Sequence, residues 1–516
     1  MTEKYLRGAM ILTVAGLMVK IIGSVNRVLL SRLLGGEGIG LYQMAYPIYL
    51  LLLAVSAAGI PIAISIIVAE LLAKEDYGNV RKVFKTSLAL MACVGLVLAV
   101  MLFLAAGWLV NNGIIRDGRA YYALVALIPA VFFATILASF RGFFQGQQLM
   151  TPPAVSQIIE QFIRVVTMVV LAYCLLPYGL EYAAAGAAFG AVPGSLTGLV
   201  VLGYFYRKYS HMWQERSNEC ALPPENTLSL IKRLLCLALP VSLANVLVPV
   251  SSSIDMLVVP NRLVAGGCAI EQATTLFGYL AGMAQPLLMM ATIPTLSLAA
   301  SIVPAVSEAY TLKDIASIKH KAGVALKLCC LITVPAAVGM SAFAEPISTL
   351  LYGTSKATTA IMHSGLAICL LGMQQVTTGI LQGMDRTKIP MVNMFIGIVI
   401  KLFAVWLLTD MFGIAGAAWA TNINFGVIAL LNIIMLQNYG IVFAWLDIAK
   451  IVVASLLMAM AGIGIYGMLK SCLPLVAANI LVLIFAALVY VVLLPVLRIV
   501  TKSDLAQMPV VKRFVK

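Results

Sequence analysis

Four polar residues share one face of the first apolar stretch. Lys20, Ser24, Arg27 and Ser31 recur at i, i+4, i+7 and i+11, the spacing that stacks side chains along one side of a helix. A second such face carries Ser156, Glu160, Arg164 and Thr167, a third carries Asn393 and Lys401 two turns apart, and Asp255 stands toward the outer end of another apolar run. Cations in apolar surroundings suit one kind of chemistry: they hold phosphate or carboxylate oxygens through charge-assisted hydrogen bonds. Each charge at a bilayer centre costs roughly 2.5–3.5 kcal/mol on the insertion scale, so four would cost on the order of 10 kcal/mol unless hydrated or paired. These groups must therefore line a wet cavity or one another. Glu160 reaches Arg164 at i, i+4, and Asp255 offsets one more cation, which leaves Lys20, Arg27, Arg164 and Lys401 against two acids. A surplus of about two positive charges suits a ligand with about two negative ones, such as a diphosphate. Taken singly, Lys20 could equally snorkel or brace two helices; taken as a set, the four read as a cationic cavity.

Catalytic, metal and cofactor patterns are missing. His211, His320 and His363 have no metal-ligand spacing, no Asp-x-Asp pair occurs, and Gly35-Gly36-Glu37-Gly38-Ile39-Gly40 does not fit Gly-x-Gly-x-x-Gly. That glycine run reads as a tight external turn. The nine cysteines form no Cys-x-x-Cys pair and sit mostly in apolar segments, as small buried hydrophobes do. The net charge of +14 is scattered between apolar runs and builds no basic, aromatic-interleaved domain, so nucleic acid is not an expected partner. The reading is of a transport protein, not an enzyme, with no cofactor and no metal.

The elements that must position these residues are membrane helices. The chain is 62% hydrophobic and 10% charged, against roughly 45–50% and 25% in a soluble domain. With about 20 apolar residues per crossing, the sequence divides into about fourteen spans. Six lie in an N-lobe (1–205) and six in a C-lobe (228–436), separated by a cytoplasmic linker (206–227) and followed by two further helices and a cytoplasmic tail (437–516). Most of the 34 Lys and Arg fall in loops and helix ends on one side, which places both termini in the cytoplasm.

An internal duplication links the two lobes. Gly146 to Gly383, Pro153 to Pro390 and Arg164 to Lys401 are each 237 positions apart (383−146, 390−153, 401−164), and Glu70 to Glu308 are 238 apart (308−70). Each of these acids is followed by an aspartate, Asp76 and Asp314. Repeats with an even number of spans share one orientation, with the substrate site expected between them near the midplane. Pro240, Pro249 and Pro260 punctuate the seventh span (228–260) and Pro286, Pro294 and Pro304 the eighth (272–306). Proline removes an intrahelical hydrogen bond and bends a helix unless neighbours satisfy the freed carbonyl. Pro249, Pro260, Pro286 and Pro294 are therefore the candidate hinges of a gate.

Two stretches carry a family resemblance: Gly40-Leu41-Tyr42-Gln43-Met44-Ala45-Tyr46-Pro47 with Ala58-Gly59-Ile60-Pro61, and Phe144-Gln145-Gly146 with Pro152, Ser156-Gln157 and Glu160-Gln161. The chain resembles the polysaccharide-transporter branch of the multidrug/oligosaccharidyl-lipid/polysaccharide flippase superfamily, nearest its sporulation proteins and lipid II flippases. The resemblance implies an exporter that turns an undecaprenyl-diphosphate-linked saccharide, such as a peptidoglycan precursor, to the outer leaflet of the bacterial cell membrane by alternating access. It implies that basic residues of the first helix, here Lys20 and Arg27, face the central cavity. It also implies that the last two helices form a groove for the lipid tail. The better-known lipid II flippases carry arginine in the second and eighth helices as well. Tyr42 to Ala73 and Gln272 to Val306 contain no basic residue, so Arg164 and Lys401 become the substitutes.

The resulting expectation is a monomeric, all-α flippase whose partners are a lipid-linked diphosphate saccharide and membrane lipids. Lys20, Arg27, Arg164 and Lys401 bind the diphosphate, with Ser24, Glu160, Asp255 and Asn393 in support. The alternatives are a cation-coupled multidrug exporter, disfavoured by the positive surplus and the two extra helices, and a glycan polymerase or ligase, disfavoured by short external loops.

Overall fold

The computed structural model describes residues 2–217, 226–441 and 445–499. Residues 218–225 of the expected linker and the tail beyond 499 lie outside the described residues, as does the side chain of His211. Regular structure among the described residues is entirely helical, in two compact units, Met1–Gly282 and Met283–Lys516.

The first unit holds α1 (Thr2–Ser56), α2 (Ile60–Ala73), α3 (Tyr77–Asn111), α4 (Ala120–Gly146), α5 (Thr151–Leu175), α6 (Leu180–Phe189), α7 (Ala191–Ser217), α8 (Thr227–Ala265) and α9 (Ile270–Phe277). α8, the first helix after the linker, packs within this unit, its Leu230 and Leu234 meeting Ile60, Ile64 and Ile67 of α2 and Phe84 of α3. Its three prolines sit inside one unbroken helix. At the end of α2, Glu70 pairs with Lys74 and with Arg233 of α8.

The second unit holds α10 (Gln285–Ala291), α11 (Ile293–Thr311), α12 (Ile315–Ala342), α13 (Ala344–Tyr352), α14 (Thr358–Ser364), α15 (Leu366–Gly383), α16 (Lys388–Asn438), α17 (Trp445–Cys472) and α18 (Leu475–Val496). Residues of α11, α12, α15, α17 and α18 share one apolar core, including Val306, Leu326, Val376, Met458 and Val482. Tyr490 of α18 donates to the Leu331 carbonyl at 2.9 Å, and Asp447 of α17 pairs with Lys327 of α12 at 3.1 Å. The last two helices are thus docked on the rest of this unit.

Among the described residues, eleven helical stretches are long and apolar enough to cross a membrane, or twelve with the broken stretch Ile270–Thr311, which bends by 45° at Thr292. Two of them, Met10–Ala73 and Lys388–Asn438, are 64 and 51 residues long, and a crossing needs about 20. Each is interrupted by a glycine outside the helical region, Gly35 (φ 67°) and Gly413 (φ 58°). The count reaches the expected fourteen only where each crosses twice. The expected tight turn in the glycine run after Leu34 is confined to one residue: only Gly35 leaves the helical conformation and the helix resumes at once. The expected span 41–73 is instead interrupted at Ala57–Gly59, where a Cβ on Gly59 would meet the Ala238 carbonyl of α8 at 2.1 Å.

The duplication is visible in backbone geometry. Non-glycine residues with positive φ occur at Glu75 and Lys313 (313−75 = 238) and at Gln148 and Asp385 (385−148 = 237), all near 58°. Asp76 caps α3 by accepting from the Asn79 N–H at 3.0 Å, and Asp314 caps α12 by accepting from the Ser317 N–H at 2.9 Å. Gly146 lets α4 approach Ser65 and Val68 of α2, and Gly383 lets α15 approach Val303 and Val306 of α11. One pair is exchanged between helices: Gly95 of α3 receives Thr135 of α4, whereas Thr333 of α12 enters the space left by Gly372 of α15. A small residue opposite a β-branched one keeps the helices equally close whichever helix carries it.

Candidate anion-binding site

Within the first unit the conspicuous charge cluster is a carboxylate between two guanidiniums. Glu160 accepts from Arg141 Nη2 at its Oε2 and from Arg164 Nη2 at its Oε1, each at 2.5 Å. Glu160 and Arg164 meet as their i, i+4 spacing predicts, on a helix that carries Pro152 and Pro153 in its first turn. Arg141 arrives from the last turns of α4, where Gly142 lets that helix press against Pro61 of α2. α7 closes the far side with glycines: a Cβ on Gly194 would lie 3.0 Å from the Glu160 carbonyl, and one on Gly198 3.5 Å from the Glu160 Cβ. The side chains of Arg164, Arg141 and Glu160 retain 18%, 21% and 11% of their exposure, so the cluster is recessed but reachable.

A run of tyrosines connects this cluster to the first helix. Tyr42 stacks on Tyr46 with ring centroids 5.2 Å apart, Tyr49 lies tilted to Tyr46 at 5.8 Å, and the Arg27 guanidinium lies over the Tyr46 ring at 5.2 Å. Arg27 and the tyrosines thereby form one aromatic and cationic stretch of α1, the helix that packs against α5 and its Arg164. The Tyr49 hydroxyl and the Nε atoms of Arg141 and Arg164 are buried without a hydrogen-bond partner among the described residues. Sequence reasoning missed Arg141 and the tyrosines. Arg141 sits at the end of a span and looks like any interfacial cation, but the i, i+4, i+7 spacing of Tyr42, Tyr46 and Tyr49 was a usable signal.

The remaining expected site residues are placed differently. Lys20 is exposed and Ser24 half-buried. Asp255 is buried in α8 at 2% exposure. Lys401 belongs to the second unit, where it is buried at 2% exposure. Asn393, two turns before it, donates to Asn432 Oδ1 at 2.8 Å, and Asn432 in turn donates to Thr377 and Thr378, each at 3.1 Å. Among the described residues no group of three or more His, Cys, Asp or Glu is placed to hold a metal ion.

Of the four hinge candidates, Pro249 and Pro260 lie within unbroken α8, whereas Pro286 opens α10 and Pro294 opens α11 beside the Thr292 bend. Before Pro286 the chain takes a π-helical turn, Gly278–Ala284. Pro286 has no N–H to offer the carbonyl four residues earlier in an α-helix, or five in a π-helix. Those two carbonyls, Gly282 and Ala281, are satisfied by Ser31 Oγ at 3.2 Å and Gln43 Nε2 at 2.6 Å. Ser31 therefore serves the backbone of the eighth span, and Gln43 acquires a structural reason.

At the end of α1's break lies a second charged group. Arg119 donates to Asp117 from Nε (3.1 Å) and Nη2 (2.8 Å) and to Glu37 from Nη1 (2.7 Å), and Thr274 of α9 donates to Asp117 at 2.8 Å. Burial pushes the Asp117 carboxyl up, but the hydrogen bonds from Arg119 and Thr274 outweigh it and hold the group below the usual carboxylate range. Its hydrogen bonds to Asp117 and Glu37 in turn raise the Arg119 guanidinium.

The second unit carries an apolar cleft of about 650 Å³ against α17 and α18, lined by residues such as Leu287, Gly339, Phe343, Met458, Ala486 and Tyr490.

Known proteins share this fold. The polysaccharide biosynthesis protein family description matches residues 5–308, and a second, MatE, matches residues 273–407. Stage V sporulation protein B of Bacillus subtilis (strain 168) is 30% identical over 526 residues, covering 99% of each chain. The lipid II flippase MurJ of the same organism is 29% identical over 466 residues, covering 85% of this chain and 84% of that one. The fold matches a solved structure of lipid II flippase MurJ in an inward closed conformation with a TM-score of 0.71 at 16% identity, over 94% of this chain and 98% of the other. A family description spanning more than half the chain and a relative aligned end to end settle its membership: the chain is a member of the polysaccharide biosynthesis protein family, within the multidrug/oligosaccharidyl-lipid/polysaccharide flippase superfamily.

Proposed function

We propose that this multi-span transporter carries an undecaprenyl-diphosphate-linked saccharide, a peptidoglycan precursor such as lipid II, from the inner to the outer leaflet of the bacterial cytoplasmic membrane. One observation carries the reading: two guanidiniums, Arg141 and Arg164, hold one carboxylate, Glu160, and a third, Arg27, lies over the Tyr46 ring, all on helices of one membrane-embedded unit. Three cations less one acid leave a surplus of about two charges, what a diphosphate carries. The tyrosine faces beside them suit a sugar ring. Lys20, exposed on the same helix as Arg27, and Lys401 in the second unit complete the proposed cationic set. Pro286 and Pro294 flank the bend that would flex during alternating access. The 650 Å³ apolar cleft against α17 and α18 is assigned to the prenyl tail. The relatives named for sporulation and for lipid II favour this substrate class. Both termini are assigned to the cytoplasm, and the unit of function to the monomer. Complementation of a flippase-deficient strain tests the reading. Arg27→Ala and Lys401→Ala should each abolish growth rescue while the protein reaches the membrane at wild-type level; full rescue by both would remove the proposal.

A multidrug exporter is the second reading, favoured by the MatE match over 273–407. Its cationic substrates would meet a surplus of positive charge, so drug accumulation in cells expressing the protein should equal that of controls.

A further inference from the structure

We infer that Glu160 is the resident anion of the binding site: between transport events its carboxylate occupies the place that a substrate phosphate takes during them. The inference rests on the diphosphate reading and specifies how that site is kept ready.

Two guanidiniums from different helices grip opposite oxygens of one carboxylate, at 2.5 Å each. A phosphate of a disubstituted diphosphate presents the same pattern, one negative charge shared over two non-bridging oxygens. The site is also undersupplied with acceptors. Among the described residues the Nε of Arg141, the Nε of Arg164 and the Tyr49 hydroxyl are buried with no partner, and Tyr49 is only 1% exposed. A guanidinium has five N–H donors and a carboxylate about four lone-pair sites, so one carboxylate between two arginines leaves donors over. A phosphate would bring further oxygens to the same point.

Among the described residues no other carboxylate pairs with Arg141 or Arg164. α1 contributes Arg27, Tyr42, Tyr46 and Tyr49, α4 contributes Arg141, and α7 contributes the glycines Gly194 and Gly198. The trio of Arg141, Glu160 and Arg164 therefore carries a net charge of +1. A ligand must displace Glu160 from one or both arginines to bind, and the returning carboxylate helps to expel it. A brace that only holds α4 to α5 would stabilise the fold and leave ligand affinity unchanged or improved by its presence. A resident anion weakens affinity and speeds release.

The test uses the full chain in lipid nanodiscs, with undecaprenyl diphosphate as the probe and uncharged undecaprenol as the control, titrated by native mass spectrometry. Wild type should prefer the diphosphate. Glu160→Gln, which removes the competing charge, should bind it about tenfold more tightly or better, as loss of a competing charge-assisted bond requires, and should transport more slowly. Glu160→Asp, whose shorter side chain reaches the arginines less well, should shift affinity in the same direction by a smaller factor in a protein that keeps its charge balance. Unchanged or weaker diphosphate affinity in folded Glu160→Gln overturns the inference and leaves the substrate reading standing. If Glu160→Gln does not fold, an unshifted Glu160→Asp overturns it equally. A wild type that prefers neither lipid removes both.

Discussion

A guanidinium already holding a carboxylate is not the free cation that spacing alone suggests. Arg164 enters the candidate site with Glu160 attached and Arg141 on the other side of it, so one carboxylate offsets one of the two cations. That balance explains how so many ionic groups persist in helices as apolar as these. The Asp117–Arg119–Glu37 network shows the same economy at a helix end, where Thr274 adds a neutral donor. Its consequence for stability can be given a sign. Asp117 is held below the ordinary carboxylate range in the fold, so its contribution is fully present above the unfolded value of about 3.9. It is lost as pH falls from there through the depressed folded value. Thermal unfolding in detergent should therefore show an acid limb below about pH 4 that flattens in Asp117→Asn, with the variant less stable than wild type at pH 7. Equal midpoints at pH 7 would show that the network contributes nothing.

At the scale of elements, the duplicated pairs of helices depend on backbone approach. α4 meets α2 through Gly142 and Gly146, and α15 meets α11 through Gly379 and Gly383. Lipid supplies no hydrophobic drive between helices, so close packing of small residues must hold them together. A Cβ at Gly146 would lie 2.7 Å from Val68 Cβ and 2.8 Å from the Ser65 carbonyl, and one at Gly383 2.8 Å from both the Val303 carbonyl and Val306 Cβ. Gly146→Ala and Gly383→Ala should each destabilise by about 1–3 kcal/mol, the range for overpacking a tight contact. The two should match, because the geometry does; differential scanning of the purified variants measures both. The sequence register of 237 foretold that these glycines correspond. That their partners are Val68 and Val306 was not legible, because a glycine's neighbour is chosen by the fold.

For the whole molecule, the last two helices bring a test of how a lipid substrate is held. α17 and α18 dock on α12 and α13 and leave an apolar cleft in which a Cβ on Gly339 would have only Met458 nearby, at 3.8 Å. Gly339→Phe should therefore fold normally, fill the cleft and reduce transport of a full-length prenyl substrate by tenfold or more, on the order of 1.4 kcal/mol. A short-chain prenyl analogue should be carried at nearly the wild-type rate. Equal loss for both chain lengths would assign the cleft a role other than holding the tail.

The amino-acid sequence by itself determined that this is a helical membrane protein of many spans, built by duplication, with cations on helix faces that lipid would not tolerate. Those properties follow from composition and period, which are local. Tertiary structure decided which charges meet. It brought Arg141 of α4 to Glu160 of α5, laid Arg27 over Tyr46, and turned Ser31 and Gln43 toward carbonyls that Pro286 leaves without a donor. It also made the glycine run a contact surface: a Cβ on Gly40 would strike the Thr274 carbonyl at 2.1 Å, and one on Gly278 the Gly36 carbonyl at 1.9 Å. Such pairings join residues far apart in sequence, and the pattern along one helix states which face is polar without stating what that face will touch.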